Sequence, residues 1–211
     1  MKPDVETIAK TLDAVNQRFY ETHHSAFNET RQFGWPGWRK IMEHVKTTPR
    51  SVLDIGCGNG RFARFLQNQN NPHEQPTDYL GLDRNAPLLE YAQVQSLNFR
   101  ARWLPWSWTP DVKQLPPLNL SITPDLVVAF GVLHHIYGAG QREAFIAWCG
   151  QHVAHDGYLA ISAWDFGRHE RYLKKCQSDE AVYRETGIAP AHLDTHDYFL
   201  GFGKSTLPMR Y

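Results

Sequence analysis

Apolar residues recur along the start of the chain at helical spacing. Val5, Ile8, Leu12, Val15 and Phe19 lie three or four positions apart, and Phe27 extends the stripe. Residues at those steps share one face, so the pattern predicts an amphipathic helix over 5–30. Trp35-Pro36-Gly37-Trp38 interrupts it, and residues 38–46 suit a second short helix. The period then changes. Segments 51–55, 79–83, 99–104, 124–130 and 157–163 are short apolar runs of strand length. Between them 61–69, 87–95 and 141–152 carry helical spacing, with Phe62, Phe65 and Leu66 on one face of the first. Strands alternating with helices in this way predict an α/β fold: a doubly wound, mostly parallel sheet with helices on both faces. Residues 70–77 read as a polar loop, 105–124 as a loop rich in tryptophan and proline, 166–185 as a charged helical stretch, and 197–202 as a late strand.

Composition narrows the classes. The 211 residues suit one domain, divided into a helical N-terminal cap (1–50), a core (51–165) and a C-terminal helix and strand (166–211). Lys and Arg number 22, and Asp and Glu also 22, so the body as a whole is no polyanion binder. Cys57, Cys149 and Cys176 are too few and too scattered for a disulfide framework or a paired-cysteine metal site, which points to a reducing cytoplasm. The polar start lacks the apolar run of a signal peptide, and the longest apolar stretch, 126–133, falls far short of the roughly 20 residues of a membrane span. The expectation is a soluble cytoplasmic protein with no membrane partner.

The chemistry begins at Asp54-Ile55-Gly56-Cys57-Gly58-Asn59-Gly60, a turn from strand to helix whose small residues let a ligand approach the backbone. A dinucleotide fingerprint requires glycine three places after Gly58, where Arg61 stands. Asp83 closes the next strand, where a carboxylate can accept two hydrogen bonds from a ribose diol. Turn and acid together imply an adenosine-type ligand without a pyrophosphate.

These residues carry a resemblance. "VLDIGCGNG", "YLGLDRN" and "PDLVVAFGVLHHI" are similar to the first, second and fourth motifs of the class I S-adenosylmethionine-dependent methyltransferases, over roughly residues 50–165. The resemblance implies a Rossmann-like methyltransferase sheet, S-adenosylmethionine as cofactor and S-adenosylhomocysteine as product. It implies a cofactor site of Asp54, Gly56, Cys57, Gly58, Asn59, Gly60, Asp83, Arg84, Phe130, Gly131 and Val132. In it Asp54 contacts the amino group, Asp83 holds the ribose, Arg84 or Asn85 flanks the adenine, and 130–132 form the wall beneath the sulfonium. Many relatives place an acid near the end of the third strand for the adenine amino group. Residues 99–104 hold none, which leaves backbone carbonyls, Trp103 or Trp106 for that task.

A narrower resemblance lies outside the core. Asn16 to Tyr20, Phe27, Thr30-Arg31 and Trp35-Pro36-Gly37-Trp38 resemble the entry segment of the tRNA wobble-uridine carboxymethyl methyltransferases and of bacterial relatives. The tail from Asp197 to Arg210-Tyr211 resembles theirs as well. In that family the Arg-Tyr pair opens a final strand, so either the sequence is truncated or the sheet lacks its last strand. The resemblance implies a modified tRNA uridine carboxylate as acceptor. A small metabolite as acceptor and a non-catalytic cofactor-binding protein are the alternatives.

Local charge bears on the first of these. Residues 31–64 hold seven basic side chains against two acids, and 168–175 hold four against one, so a basic patch could meet a phosphate backbone, alone or with a helper protein. A solvated helix face is the competing reading. His134 and His135, just after the fourth strand, are the candidate bases, with a structural role as the alternative. Arg31 suits an anionic acceptor because its planar fork matches a carboxylate. Tyr20, Arg31, Trp35 and Trp164 are the expected acceptor residues. His192 and His196 have the spacing of a helical metal pair but no third ligand, so no metal is expected.

Overall fold

The computed structural model describes residues 4–45, 48–69, 76, 78–108, 115, 117–202, 205 and 207–210. Helix α1 (Val5–Glu29) starts where Asp4 accepts the Thr7 amide at 2.7 Å, a side-chain cap that satisfies one of the first free N–H groups. Its apolar stripe, Ile8, Leu12, Val15 and Phe19, is buried. Helix α2 (Pro36–His44) begins two residues earlier than the spacing suggests, because Pro36 is preset for a first helical turn.

Strands β1 (Ser51–Ile55), β2 (Asp78–Asp83), β3 (Arg100–Pro105), β4 (Leu126–Phe130) and β5 (Tyr158–Ser162) form one parallel sheet in the order β3-β2-β1-β4-β5. Helices α3 (Arg61–Gln67), α4 (Ala86–Gln93) and α5 (Ala139–Gly150) make the crossovers. The two-residue period of a strand sends alternate side chains to opposite faces. Val52 and Val128 pack with Trp38, Phe62 and Leu66 on one side, while Leu53, Ile55, Val127 and Ala129 pack with Phe145 and Trp148 on the other. The doubly wound sheet expected from the pattern is therefore present.

Two expectations about the C-terminal part change. The charged stretch 166–185 is two helices, α6 (Glu170–Leu173) and α7 (Asp179–Thr186). Between them Gln177 donates its amide to the Phe199 carbonyl at 2.8 Å, and Ser178 caps α7 on the Ala181 amide at 3.3 Å, so the backbone leaves the helical path. The late strand β6 (Phe199–Gly201) pairs antiparallel with β7 (Pro208–Arg210), apart from the large sheet. Arg210, the last described residue, lies in this pair and not in the main sheet. β7 lies against α1, whose lower face meets Val182, Ile188 and Phe199. Most of the 70–77 loop falls outside the described residues. Among the described residues no helix is long and apolar enough to cross a membrane.

Candidate active site

The turn after β1 holds three glycines with positive φ: Gly56 at 74°, Gly58 at 54° and Gly60 at 71°. Each has a different reason. A Cβ on Gly56 would stand 2.3 Å from Val132 Cγ2, so this glycine lets the turn close against the segment after β4. A Cβ on Gly58 would meet nothing within 4 Å, so this backbone faces open space. Gly60 would collide with Trp103 at 2.8 Å and Gln95 at 2.7 Å. It is a packing glycine at the start of α3, and unlike its neighbours it does not line the cavity described below.

Two acids flank the turn. Asp83 Oδ2 accepts the Gly58 amide and Oδ1 the Asn85 amide, both at 2.8 Å. Burial pushes its carboxyl upward, opposed by those two amides. Asp54, 2% exposed, accepts the Tyr79 hydroxyl. Burial raises its carboxyl to about 7, with the Tyr79 bond opposing and the charge of Asp83 adding. Cys57 lines the same space, and burial holds its thiol well above the ordinary range.

Opposite the turn stand α1 and the residues after β4. His135 is 7% exposed and engaged on both ring nitrogens: Nε2 lies 3.0 Å from the Tyr20 hydroxyl, and Nδ1 lies 3.2 Å from Asn16 Nδ2 and 3.1 Å from the Arg210 carbonyl. Asn16 Oδ1 in turn accepts the Arg210 amide at 2.8 Å. Burial lowers His134 to about 4 and His135 well below the usual histidine range, so both are neutral at physiological pH. The Arg210 guanidinium pairs with Asp197 in near-complete burial. Arg84 donates to Asp13 at 2.6 Å and lies over Trp108.

These groups surround one cavity of about 610 Å³. Asp54, Gly56, Cys57, Gly58, Asn59, Asp83, Arg84, Phe130, Gly131 and Val132 line it, as do His134 and His135. Tyr20, Arg31, Trp35 and Trp164 line it too. Phe130 also packs against Trp38 and Phe62, at ring distances of 5.5 and 5.0 Å. Of the two tryptophans weighed for the adenine, Trp106 lines the cavity and stacks on Trp148, its amide bonded to the Asp83 carbonyl at 2.9 Å. Trp103 packs on Gly81 and Tyr79.

The pattern of the sequence overlooked Asn16, Arg61, Trp108 and Met209, which also line the cavity. Asn16 had a usable signal, a polar residue within the apolar stripe of α1. Met209 had none, because its position depends on where the tail folds back. The 168–175 patch is partly neutralised by Arg168–Asp165 at 2.9 Å and Lys174–Glu170 at 2.8 Å, both exposed pairs. His192 ends a single 3-10 turn, Pro190–His192, so it shares no helix with His196.

Comparison with known proteins adds to this geometry. A family model described as "Methyltransferase domain" matches residues 53–159. A protein of Encephalitozoon cuniculi (strain GB-M1) with a provisional methyltransferase name is 28% identical over 147 residues, 70% of this chain and 60% of that protein. The tRNA U34 carboxymethyltransferase of Aliivibrio fischeri (strain MJ11) is 29% identical over 139 residues, 62% of this chain but 38% of that one. The match thus spans less than two thirds of either relative. Among solved structures, the fold is similar to that in a complex of a Haloferax volcanii methyltransferase activator with a methyltransferase, at 12% identity and a TM-score of 0.56, covering 82% of this chain and 74% of that one. It is also similar to the plantazolicin methyltransferase BamL bound to a desmethyl substrate analogue and S-adenosylhomocysteine, at 18% identity and a TM-score of 0.54, covering 90% and 73%.

Proposed function

The chain belongs to the methyltransferase domain family, and from that premise we propose that it carries the methyl group of S-adenosylmethionine to a carboxylate acceptor, a modified tRNA uridine being the favoured one. One observation carries the reading. The Gly58 backbone and the Asp83 carboxylate meet at the wall of a cavity of about 610 Å³, within the range of small-molecule sites.

The residues fit the cofactor. The open face of Gly58 admits the methionine portion to the backbone, and Asp54 stands ready to ionise beside an ammonium. Asp83 keeps lone pairs for a ribose diol, and Trp106 and Trp108, with Arg84 and Asn85, are the lining residues available to an adenine. When bound, the cofactor supplies a methyl group on a positively charged sulfur, and S-adenosylhomocysteine is its product.

A carboxylate acceptor is ionised at neutral pH and needs no base. The work left to the protein is to hold acceptor and methyl within about 3–3.5 Å and collinear. Arg31 pairs with the acceptor carboxylate, and Tyr20, Trp35 and Trp164 wall it in. His135 bonds the Tyr20 hydroxyl, and a carboxylate acceptor asks neither His135 nor His134 to remove a proton. The named tRNA relative and the entry segment support the RNA acceptor. A small metabolite is the second reading, favoured by the ion-paired state of the 168–175 patch. Incubation with methyl-labelled cofactor, followed by separation of RNA, protein and small molecules, tests both. Label in tRNA supports the first and label in the small-molecule fraction the second, while transfer to neither sinks both.

A further inference from the structure

The arginines around the cavity are not alike. Arg84 is matched by Asp13, and Arg210, behind the histidines, by Asp197. Arg61, the first residue of α3, has neither a hydrogen bond nor an ion pair among the described residues. Its guanidinium instead lies over the Trp38 ring, 4.9 Å from the centroid, at the cavity wall. Arg31 stands nearby. Its carbonyl accepts from Asn59 Nδ2 and Arg64 Nη2, both at 3.2 Å, which ties this turn to the glycine loop. Among the described residues the Arg31 guanidinium reaches only the Thr30 hydroxyl and carbonyl beside it and the face of Phe27.

This corner holds more donors than acceptors. Trp38, 2% exposed, has an indole N–H with no partner among the described residues, and so has Arg64 Nε. The acid closest in influence is Asp54, whose carboxyl is already bonded by Tyr79. Burial and the charges of Arg31 and Arg64 draw Arg61 down to about 10, the mark of cations crowded without an anion. A buried donor without an acceptor is costly, and a planar fork is best matched by a carboxylate.

We propose that Arg61, stacked on Trp38 and flanked by Arg31, is a carboxylate-binding residue of the cavity, acting on the cofactor's amino-acid end or beside Arg31 on the acceptor. The assignment rests on the cofactor reading above. The carboxylate has two sources, the amino-acid end of the cofactor and the acceptor, and binding probes separate them. Calorimetric titration of the full chain uses S-adenosylhomocysteine and methylthioadenosine, which lacks the amino-acid end. Carboxymethyluridine and uridine are then added to protein saturated with S-adenosylhomocysteine. Arg61→Met keeps the stem on Trp38 and removes the fork, and Arg61→Lys keeps the charge alone.

Arg61→Met weakens one carboxylate probe by about 10- to 100-fold, with Arg61→Lys between it and the wild type, while methylthioadenosine and uridine binding stay unchanged. Loss on S-adenosylhomocysteine assigns the site to the cofactor, and loss on carboxymethyluridine assigns it to the acceptor. Both carboxylate probes unmoved, or methylthioadenosine weakened equally, overturns the proposal, because Arg61 is then wall and no more. A wild type that binds neither adenosine probe refutes the cofactor reading and the carboxylate site with it. Binding that is intact and indifferent to Arg61 refutes the site alone.

Discussion

The Gly58 amide donates to Asp83 Oδ2 at 2.8 Å, which joins the glycine turn after β1 to the tip of β2. The neighbouring strands end side by side, and the acid of one orders the loop of the other. Its second oxygen holds the Asn85 amide at the start of α4, so a single carboxylate shapes both ligand-facing turns. Asp83→Ala frees two amides and removes the proposed ribose acceptor. We expect S-adenosylhomocysteine affinity to fall by about 100-fold or more, hydrogen bonds to a charged group being worth about 1.5–3 kcal/mol each. Titration calorimetry reads this directly, and unchanged affinity would remove Asp83 from the site.

Gly56 and Gly58 share a left-handed backbone but not their surroundings. Gly56→Ala meets Val132 as well as an unfavourable φ. It should destabilise the fold by about 2–5 kcal/mol, the sum of about 1–2 for the backbone and about 1–3 for overpacking. Gly58→Ala meets open space. It should cost only the backbone part, about 1–2 kcal/mol, yet still impair ligand binding, because its methyl would project where a ligand approaches. Denaturant unfolding alongside titration separates the two, and equal stability losses would contradict this division.

Asp54 carries a pH signature. Its carboxyl is raised to about 7 in the folded protein from 3.8, so the stability it contributes is complete below about pH 3.8 and lost as pH rises through 7. Compared with Asp54→Asn, the ligand-free wild type should weaken across that window. An ammonium placed beside Asp54 favours the ionised form, so cofactor binding near pH 6.5 should release part of a proton. Calorimetry in buffers of different ionisation enthalpy measures it, and zero release would separate Asp54 from the amino group.

His134 has the opposite sign. Burial lowers it to about 4 from 6.5, so its contribution is present above pH 6.5 and lost as pH falls through 4. His134→Gln should flatten the acid limb of a stability profile followed by thermal melting. An unaltered limb would show that His134 titrates normally.

The Arg210–Asp197 pair is almost wholly buried. Arg210→Met strands a buried carboxylate and should cost about 3–5 kcal/mol. Arg210→Met combined with Asp197→Leu should recover most of that loss, since the stranded charge is gone. If the double variant is no better than the single one, the pair matters for some other reason.

Local patterns carried the fold a long way. The stripe of α1 and the short apolar runs of β1 and β4 are short-range signals, and all three elements stand where the pattern put them. The glycine turn and Asp83 were legible because their spacing is set by one strand, one helix and the next strand. The packing of Gly60 on Trp103 was not legible, because a glycine freed for a ligand and one freed for a side chain look the same along the chain. Arg61, Trp108 and Met209 were missed for a related reason: their place at the cavity is decided by partners far away in sequence. The split of 166–185 depended on a bond from Gln177 to the carbonyl of Phe199, which no helical period contains.

The bond between Asn16 and the Arg210 amide spans 194 positions, nearly the whole chain. A ribosome making this protein exposes the glycine turn, both acids and all five described strands of the sheet before it makes Arg210. The contacts of Asn16 and His135 with Arg210 must therefore form after the sheet has been made. A growing chain halted after β5 has every strand of the sheet but lacks the tail that holds Asn16 and His135 in register.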